Sequence, residues 1–230
     1  MLILKNISKN FKKGSKEINV LKNITYTFKE GKIYAIKGHS GSGKSTLIKI
    51  MGLIEQCSSG EYYINNKRVS EMNDKELSNL RMKYIGFIFQ DFNLDPYLSA
   101  IDNVILPMLI NHNISKEDRK NKANCLLESL GLKDRIDHYP KELSGGELGR
   151  VAIARALAND PKIILADEPT GNLDKKNEKV VLQELKKLAN KGKCVIVVSH
   201  SDEINQYADI ILELDDGNIT TYKGKKNYDE

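Results

Sequence analysis

The chain is short of cysteine, arginine and long apolar runs. Cys57, Cys125 and Cys194 stand far apart with no C-x-x-C spacing. That excludes a disulfide frame and a multi-cysteine zinc site, and predicts small buried residues of a reducing compartment. No apolar run approaches the roughly 18 residues that cross a bilayer. The longest, Val104 to Ile110, contains Pro107. The opening MLILKNISKNFKKG lacks a long apolar stretch followed by a small-residue cleavage site, so no signal peptide is expected. Tryptophan is absent, which by itself excludes nothing. Internal repeats and long low-complexity tracts are missing, which sets aside solenoid and disordered architectures.

What is present is globular in character. The 230 residues are 40% hydrophobic and 29% charged, enough for one large domain or one with an insertion. Basic residues exceed acidic ones by five, 36 against 31. That mild excess suits anionic ligands or a membrane surface and does not demand nucleic acid. Thirty of the basic residues are Lys and six are Arg. With abundant Asn and Ile, this reads as an AT-rich codon bias.

Strands are predicted at Leu2–Ile7, Ile18–Phe28, Lys32–Lys37, Glu61–Ile64, Tyr84–Phe89, Ile163–Ala166, Val195–Ser199, Ile210–Leu214 and Ile219–Tyr222. Helical spacing covers Lys44–Ile54, Asp74–Arg81, Gly145–Leu157 and Lys175–Asn190. Another helix opens at a capping box, Ser115 with Asp118, and stops at Gly131. Its apolar face carries Ala123, Leu126, Leu127 and Leu130. Alternating strands and helices imply a parallel α/β sheet. A helical block over 91–154 interrupts that alternation and reads as an inserted subdomain. The flanking segments, 1–90 and 155–230, read as the core. The tail KGKKNYDE is expected to fray.

Three motifs carry chemistry. Gly38-His39-Ser40-Gly41-Ser42-Gly43-Lys44-Ser45 fits G-x-x-x-x-G-K-[ST] between a strand and a helix. Glycines let backbone N–H groups converge on phosphate oxygens, and the helix turns its positive end to the same place. Lys44 can reach terminal phosphates, and the Ser45 hydroxyl can ligate Mg²⁺. Asp167 and Glu168 end the apolar strand Ile163–Ala166. Alone they are a solvated acidic turn. Beside a phosphate loop, Asp167 suits Mg²⁺ and Glu168 suits activation of a water. Ser144-Gly145-Gly146-Glu147 opens a helix that is either a plain N-cap or a second anion-binding end. Two such ends on one nucleotide suggest a site shared between two chains.

The phosphate loop, LSGGE, ILADE and the later VIVVSH, in that order, resemble an ATP-binding cassette (ABC) subunit over nearly the whole chain. The resemblance implies a P-loop α/β fold with a parallel core sheet, an antiparallel β subdomain and an inserted helical subdomain. It implies a head-to-tail homodimer with each ATP between the phosphate loop of one copy and the signature helix of the other. Residue by residue, Gly38 to Ser45 and Thr46 match the phosphate loop. Gln90 matches the glutamine that touches Mg²⁺ and reports to the membrane partner. Ser144, Gly145 and Gly146 match the signature. Asp167 matches the magnesium acid, Glu168 the catalytic base, Asp174 the D-loop aspartate and His200 the switch histidine. Phe11 matches the aromatic that stacks on adenine, although a Phe there equally suits a core.

Glu147 stands where many cassettes have Gln. Leu148 and Gly149 follow where the nearest subgroup has polar glutamines, and Gly149 costs the helix about 1 kcal/mol relative to Ala. The runs LSAIDNVILP, RVAIARALAND and DEPTGNLD resemble the MacB, LolD and FtsE branch. This implies an ATPase peripheral to the cytoplasmic face of the membrane, serving an integral permease whose coupling helix docks on 91–113. No nucleic-acid partner is expected. The AT-rich bias favours antimicrobial-peptide export or resistance over lipoprotein sorting. The alternative is a cell-division-type cassette that regulates a cell-wall hydrolase through a membrane scaffold.

Overall fold

A computed structural model describes residues 1–14 and 16–223, so the tail after Lys223 lies outside the described residues. In chain order the elements begin β1 (Leu2–Lys13), β2 (Lys16–Phe28), β3 (Lys32–Lys37), α1 (Lys44–Met51), β4 (Ser59–Ile64) and β5 (Lys67–Arg68). Next come α2 (Asp74–Tyr84), β6 (Ile85–Ile88), α3 (Ala100–Ile105), α4 (Lys116–Ser129), α5 (Gly145–Leu157) and β7 (Ile163–Asp167). The chain continues through α6 (Lys175–Asn190), β8 (Cys194–Val198), β9 (Ile210–Asp215) and β10 (Asn218–Lys223).

Two sheets form. One is antiparallel, in the order β2-β1-β4-β5. The other, β10-β9-β3-β8-β7-β6, is parallel except for its β9–β10 hairpin. Its inner strands are β-branched runs buried on both faces, as a parallel sheet between two layers requires. Side-chain alternation divides them between two cores. Ile33, Ala35, Ile164, Ala166, Val195 and Val197 face the helical layer of α3 to α6. Tyr34, Ile36, Ile163, Leu165, Ile196 and Val198 face α1 and the antiparallel sheet.

Several element ends differ from expectation. Strand β1 runs to Lys13 because register shifts after Leu4 and Ile7 absorb Asn6, at φ 52°, without ending the pairing. Helix α1 stops at Met51, where Gly52 caps it and Leu53 turns left-handed at φ 57°. At α4 the capping box is incomplete. The Ser115 hydroxyl accepts from the Asp118 N–H and donates to the Asp118 carboxylate at 2.6 Å, so that carboxylate serves the hydroxyl. Burial holds for Cys194 only; Cys57 is half-buried and Cys125 exposed.

Gly149 has a packing reason that its helix propensity does not reveal. A Cβ there would stand 3.1 Å from Val181 Cγ2 and 3.5 Å from Phe92 Cε1. The residue therefore marks the close crossing of α5 over α6.

Leu165, at the centre of β7, is fully buried between β6 and β8. Leu165→Ala should lower unfolding free energy by about 2–5 kcal/mol, read from urea denaturation midpoints. A loss under about 1 kcal/mol would show that this core relaxes around the cavity.

Candidate functional site

Four parallel strands end at one level. Ile36 pairs with Val198, Val198 with Asp167, and Ala166 with Ile88. The segments leaving these ends therefore converge. They carry the phosphate loop after β3, Gln90 after β6, Glu168 after β7 and His200 after β8. The ladder continues one step into them, since Glu168 N donates to Val198 O at 2.9 Å and Ser199 N to Ile36 O at 3.3 Å.

Ser40, Gly41, Gly43, Lys44, Ser45, Thr46, Gln90, Glu168 and His200 line one cavity of about 470 Å³, completed by Val20 and Gly171. The loop is glycine-dependent at two points. Gly38 has φ 153°, and a Cβ on it would lie 2.2 Å from Leu214 O. Gly43, the N-cap of α1, has φ 103° and packs against Val20 O. Lys44 is buried and its ammonium donates to Gly38 O and His39 O, both at 2.9 Å, bracing the loop from inside. Burial pulls its pKa down, against the opposing pull of Glu168 and Asp167. The Ser42 hydroxyl is buried with no hydrogen-bond partner.

The acid side is strained and underpaired. Glu168 sits at φ 47°, a left-handed conformation uncommon for a non-glycine residue. Its Oε2 accepts from the His200 N–H at 3.2 Å, and its Oε1 stands 3.4 Å from His200 Nε2. Asp167 ends β7, and the nearby Ser45 hydroxyl favours its charged form. Burial, then the charge of Glu168, raise the Asp167 pKa. Asp167 Oδ1 and Glu168 Oε1 are both buried without a hydrogen-bond partner. The unpartnered Asp167 oxygen, with the Ser45 hydroxyl and the Gln90 amide oxygen, offers an all-oxygen donor set that fits a hard divalent cation such as Mg²⁺.

The other predicted residues lie off this cavity. The His39 imidazole turns outward, with Nδ1 donating to Ser40 O at 2.7 Å and Nε2 3.2 Å from Asp215 Oδ1. Phe11 projects from β1 with the Lys9 ammonium 4.8 Å from its ring centre. Ser144, Gly145 and Gly146 open α5, and Asp174 caps α6. At α5 the capping box is complete. Ser144 Oγ accepts from Glu147 N at 3.4 Å, and Glu147 Oε2 accepts from Ser144 N at 2.8 Å. Arg135 Nε also donates to Glu147 Oε1 at 2.9 Å.

Two connections escaped sequence reasoning. Arg155, half-buried in α5, donates to Phe92 O and Asn93 O. Both residues have positive φ, so this guanidinium holds a strained turn two residues past Gln90. Asn172 donates to Asp91 at 3.0 Å and ties the segment after Glu168 to the one after Gln90. Arg155 was one of only six arginines, the one faint signal in the sequence.

This phosphate loop at the end of a parallel strand, facing a strained acid and a histidine, defines a P-loop nucleotide-binding domain. The family model for ABC transporters matches residues 21–171, and the chain belongs to that family of transport ATPases. It is 48% identical to an uncharacterized ABC transporter ATP-binding protein, MJ1508, of Methanocaldococcus jannaschii, over 95% of this chain and 97% of that one. It is 47% identical to the macrolide export ATP-binding/permease protein MacB of Bdellovibrio bacteriovorus over 95% of this chain, but spans only 33% of that protein. Among solved structures, the ATP-binding cassette MJ0796, dimeric in a post-hydrolysis state with ADP and Pi, superposes with a TM-score of 0.90 at 43% identity. That match covers 98% of this chain and 99% of that one. Among the described residues, no helix is long and apolar enough to cross a membrane.

The backbone N–H and hydroxyl of Ser144, then Arg135, hold the Glu147 pKa at about 2, down from 4.5. A depressed carboxyl contributes stability that is full above its unfolded pKa and fades as pH falls through its folded one. Glu147→Gln should keep the cap but flatten the loss of melting temperature between about pH 4.5 and 2 relative to the parent. Parallel curves for the two proteins over that window would remove Glu147 as a source of acid sensitivity.

Proposed function

We propose that this chain is the Mg²⁺-dependent, ATP-hydrolysing subunit of a MacB-like exporter. The observation that carries this reading is the single cavity where the phosphate loop, Gln90, Glu168 and His200 meet beside two orphaned acid oxygens. Loop N–H groups and Lys44 hold the terminal phosphates of ATP; Thr46 and Phe11 complete the grip. Ser45, Gln90 and Asp167 hold Mg²⁺, which supplies positive charge against the phosphate oxygens. Glu168 orients a water and takes its proton as the oxygen attacks the γ-phosphorus, the bond from that phosphorus to the β–γ bridging oxygen breaks and ADP leaves with the electron pair, and His200 contacts the γ-phosphate. Ser144, Gly145, Gly146 and Asp174 of a second copy close the site. The relative MJ0796 is dimeric, and that supports the two-copy arrangement.

The unit boundaries expected from the sequence, 1–90, 91–154 and 155–230, belong to this reading. So does a position on the cytoplasmic face of the membrane, with an integral permease as partner. Tyr97, Leu106, Leu109 and Ile110 are exposed large hydrophobics on the stretch assigned to its coupling helix. Of these, Ile110 lines a groove together with Ile54, Phe87 and Phe89. Antimicrobial peptides are the proposed cargo class. The cell-division-type alternative gains nothing from the relatives above.

Two variants test the assignment. Lys44→Ala should abolish ATP binding in an equilibrium assay with labelled nucleotide; retained affinity contradicts the phosphate-loop role. Glu168→Gln should bind ATP normally, lose at least about 100-fold in turnover and accumulate as an ATP-bound dimer. Normal hydrolysis by that variant would remove Glu168 as the base.

A further inference from the structure

The seam between α5 and α6 is built from small residues against larger ones. A Cβ on Gly145 would lie 3.0 Å from Leu173 Cδ2, and one on Gly149 would lie 3.1 Å from Val181 Cγ2. Between these apolar contacts stands one polar side chain, Asn177. Its amide lies so close to Gly146 that a Cβ there would be 2.0 Å from Oδ1 and 2.6 Å from Cγ. Leu173 stands just before the Asp174 N-cap, and Asn177 and Val181 follow one face of α6 at four-residue spacing, so the first turn of α6 meets the first turn of α5 at Asn177.

The same side chain holds Asp174 from the other side. Asn177 N donates to Asp174 Oδ1 at 2.9 Å, and Asn177 Nδ2 donates to Asp174 Oδ2 at 2.7 Å. Both carboxylate oxygens are thereby fixed by one residue. Ser144 and Asp174 are solvent-exposed, while Gly146 is buried against this contact. One amide therefore joins the turn that presents Ser144 to the turn that presents Asp174.

We propose that Asn177 is a positioning residue for ATP hydrolysis. It sets the distance between the signature turn and Asp174, so that the face offered to the nucleotide of a second copy is one rigid unit. This rests on the two-copy reading above. Side-chain groups that must meet a ligand within about half an ångström need locked neighbours of this kind. Asn177 touches no part of the phosphate-loop cavity of its own chain. Its loss should therefore leave nucleotide capture intact and weaken closure.

The test uses the full chain. Asn177→Leu keeps the seam filled but removes the amide bond to Asp174. Asn177→Asp keeps the shape but sets a carboxylate against Asp174, and serves if the first variant folds poorly by its melting curve. Each is measured alone for KM and kcat. Each is also measured with Glu168→Gln for ATP-driven dimerisation by sedimentation equilibrium. Expected are a KM and a monomer ATP affinity within about twofold of the parent, with kcat and dimer affinity both down about tenfold. A merely structural role would lower the melting temperature and leave the KM–kcat split and the dimer constant unmoved. Folded Asn177 variants that dimerise and turn over like the parent overturn the inference. If the Glu168→Gln parent itself stays monomeric with ATP, the two-copy reading fails and takes this inference with it.

Discussion

The parallel register of β3, β8, β7 and β6 is the constraint on which the rest of this structure depends. Hydrogen bonding aligns Ile36, Val198 and Asp167 at one level, with Ile88 one step back beside Ala166, although they come from distant parts of the chain. The strands are buried on both faces, so their loops can leave only at the ends. The phosphate loop, Gln90, Glu168 and His200 share a crevice because the ladder leaves them nowhere else to go. A slip of one residue in any of these strands would exchange its two core faces and misplace its catalytic end together.

Electrostatics then gives the crevice its chemistry. One buried cation and two acids meet there, and burial opposes the charged forms of Lys44 and Asp167. Lys44 directs its hydrogen bonds to loop carbonyls, not to either acid. The acids are left with oxygens that have no hydrogen-bond partner, and the positive N-terminal end of α1 opens at the same loop. A polyphosphate with a divalent cation satisfies both sets at once, whereas either charge alone would satisfy one and aggravate the other.

Local signals were legible in sequence wherever one element decided them. The β-branched run of β3, the Ser144 cap of α5 and the amphipathic face of α6 each specify their own limits, and those elements appear as expected. Signals that depend on a distant partner were not. Arg155 reads as a helix-surface cation, yet the carbonyls it serves lie some sixty residues earlier, in a turn with no motif. Gly149 reads as a defect until Val181 is placed against it. The phosphate-loop motif identified its residues but not which of them share a wall. His39 turns away to Asp215, and Gly38 and Ser42 do not line the cavity.

The sharpest consequence concerns completeness. Ser144 and Asp174 are exposed N-caps, and neither they nor Gly145 and Gly146 line the cavity that holds Lys44. On the proposed function, a single chain carries two half-sites that do not share a cavity. A twofold axis resolves this with no new interaction type, because an isologous pair brings each half-site against the complementary half of the other copy. Such a pair closes two sites at once, so the energy of holding two nucleotides is available to move the chains as rigid bodies. That motion is useful only if the two turns of a half-site travel together. The shared amide of Asn177, packed on Gly146 and bonded to Asp174, is the contact that joins them.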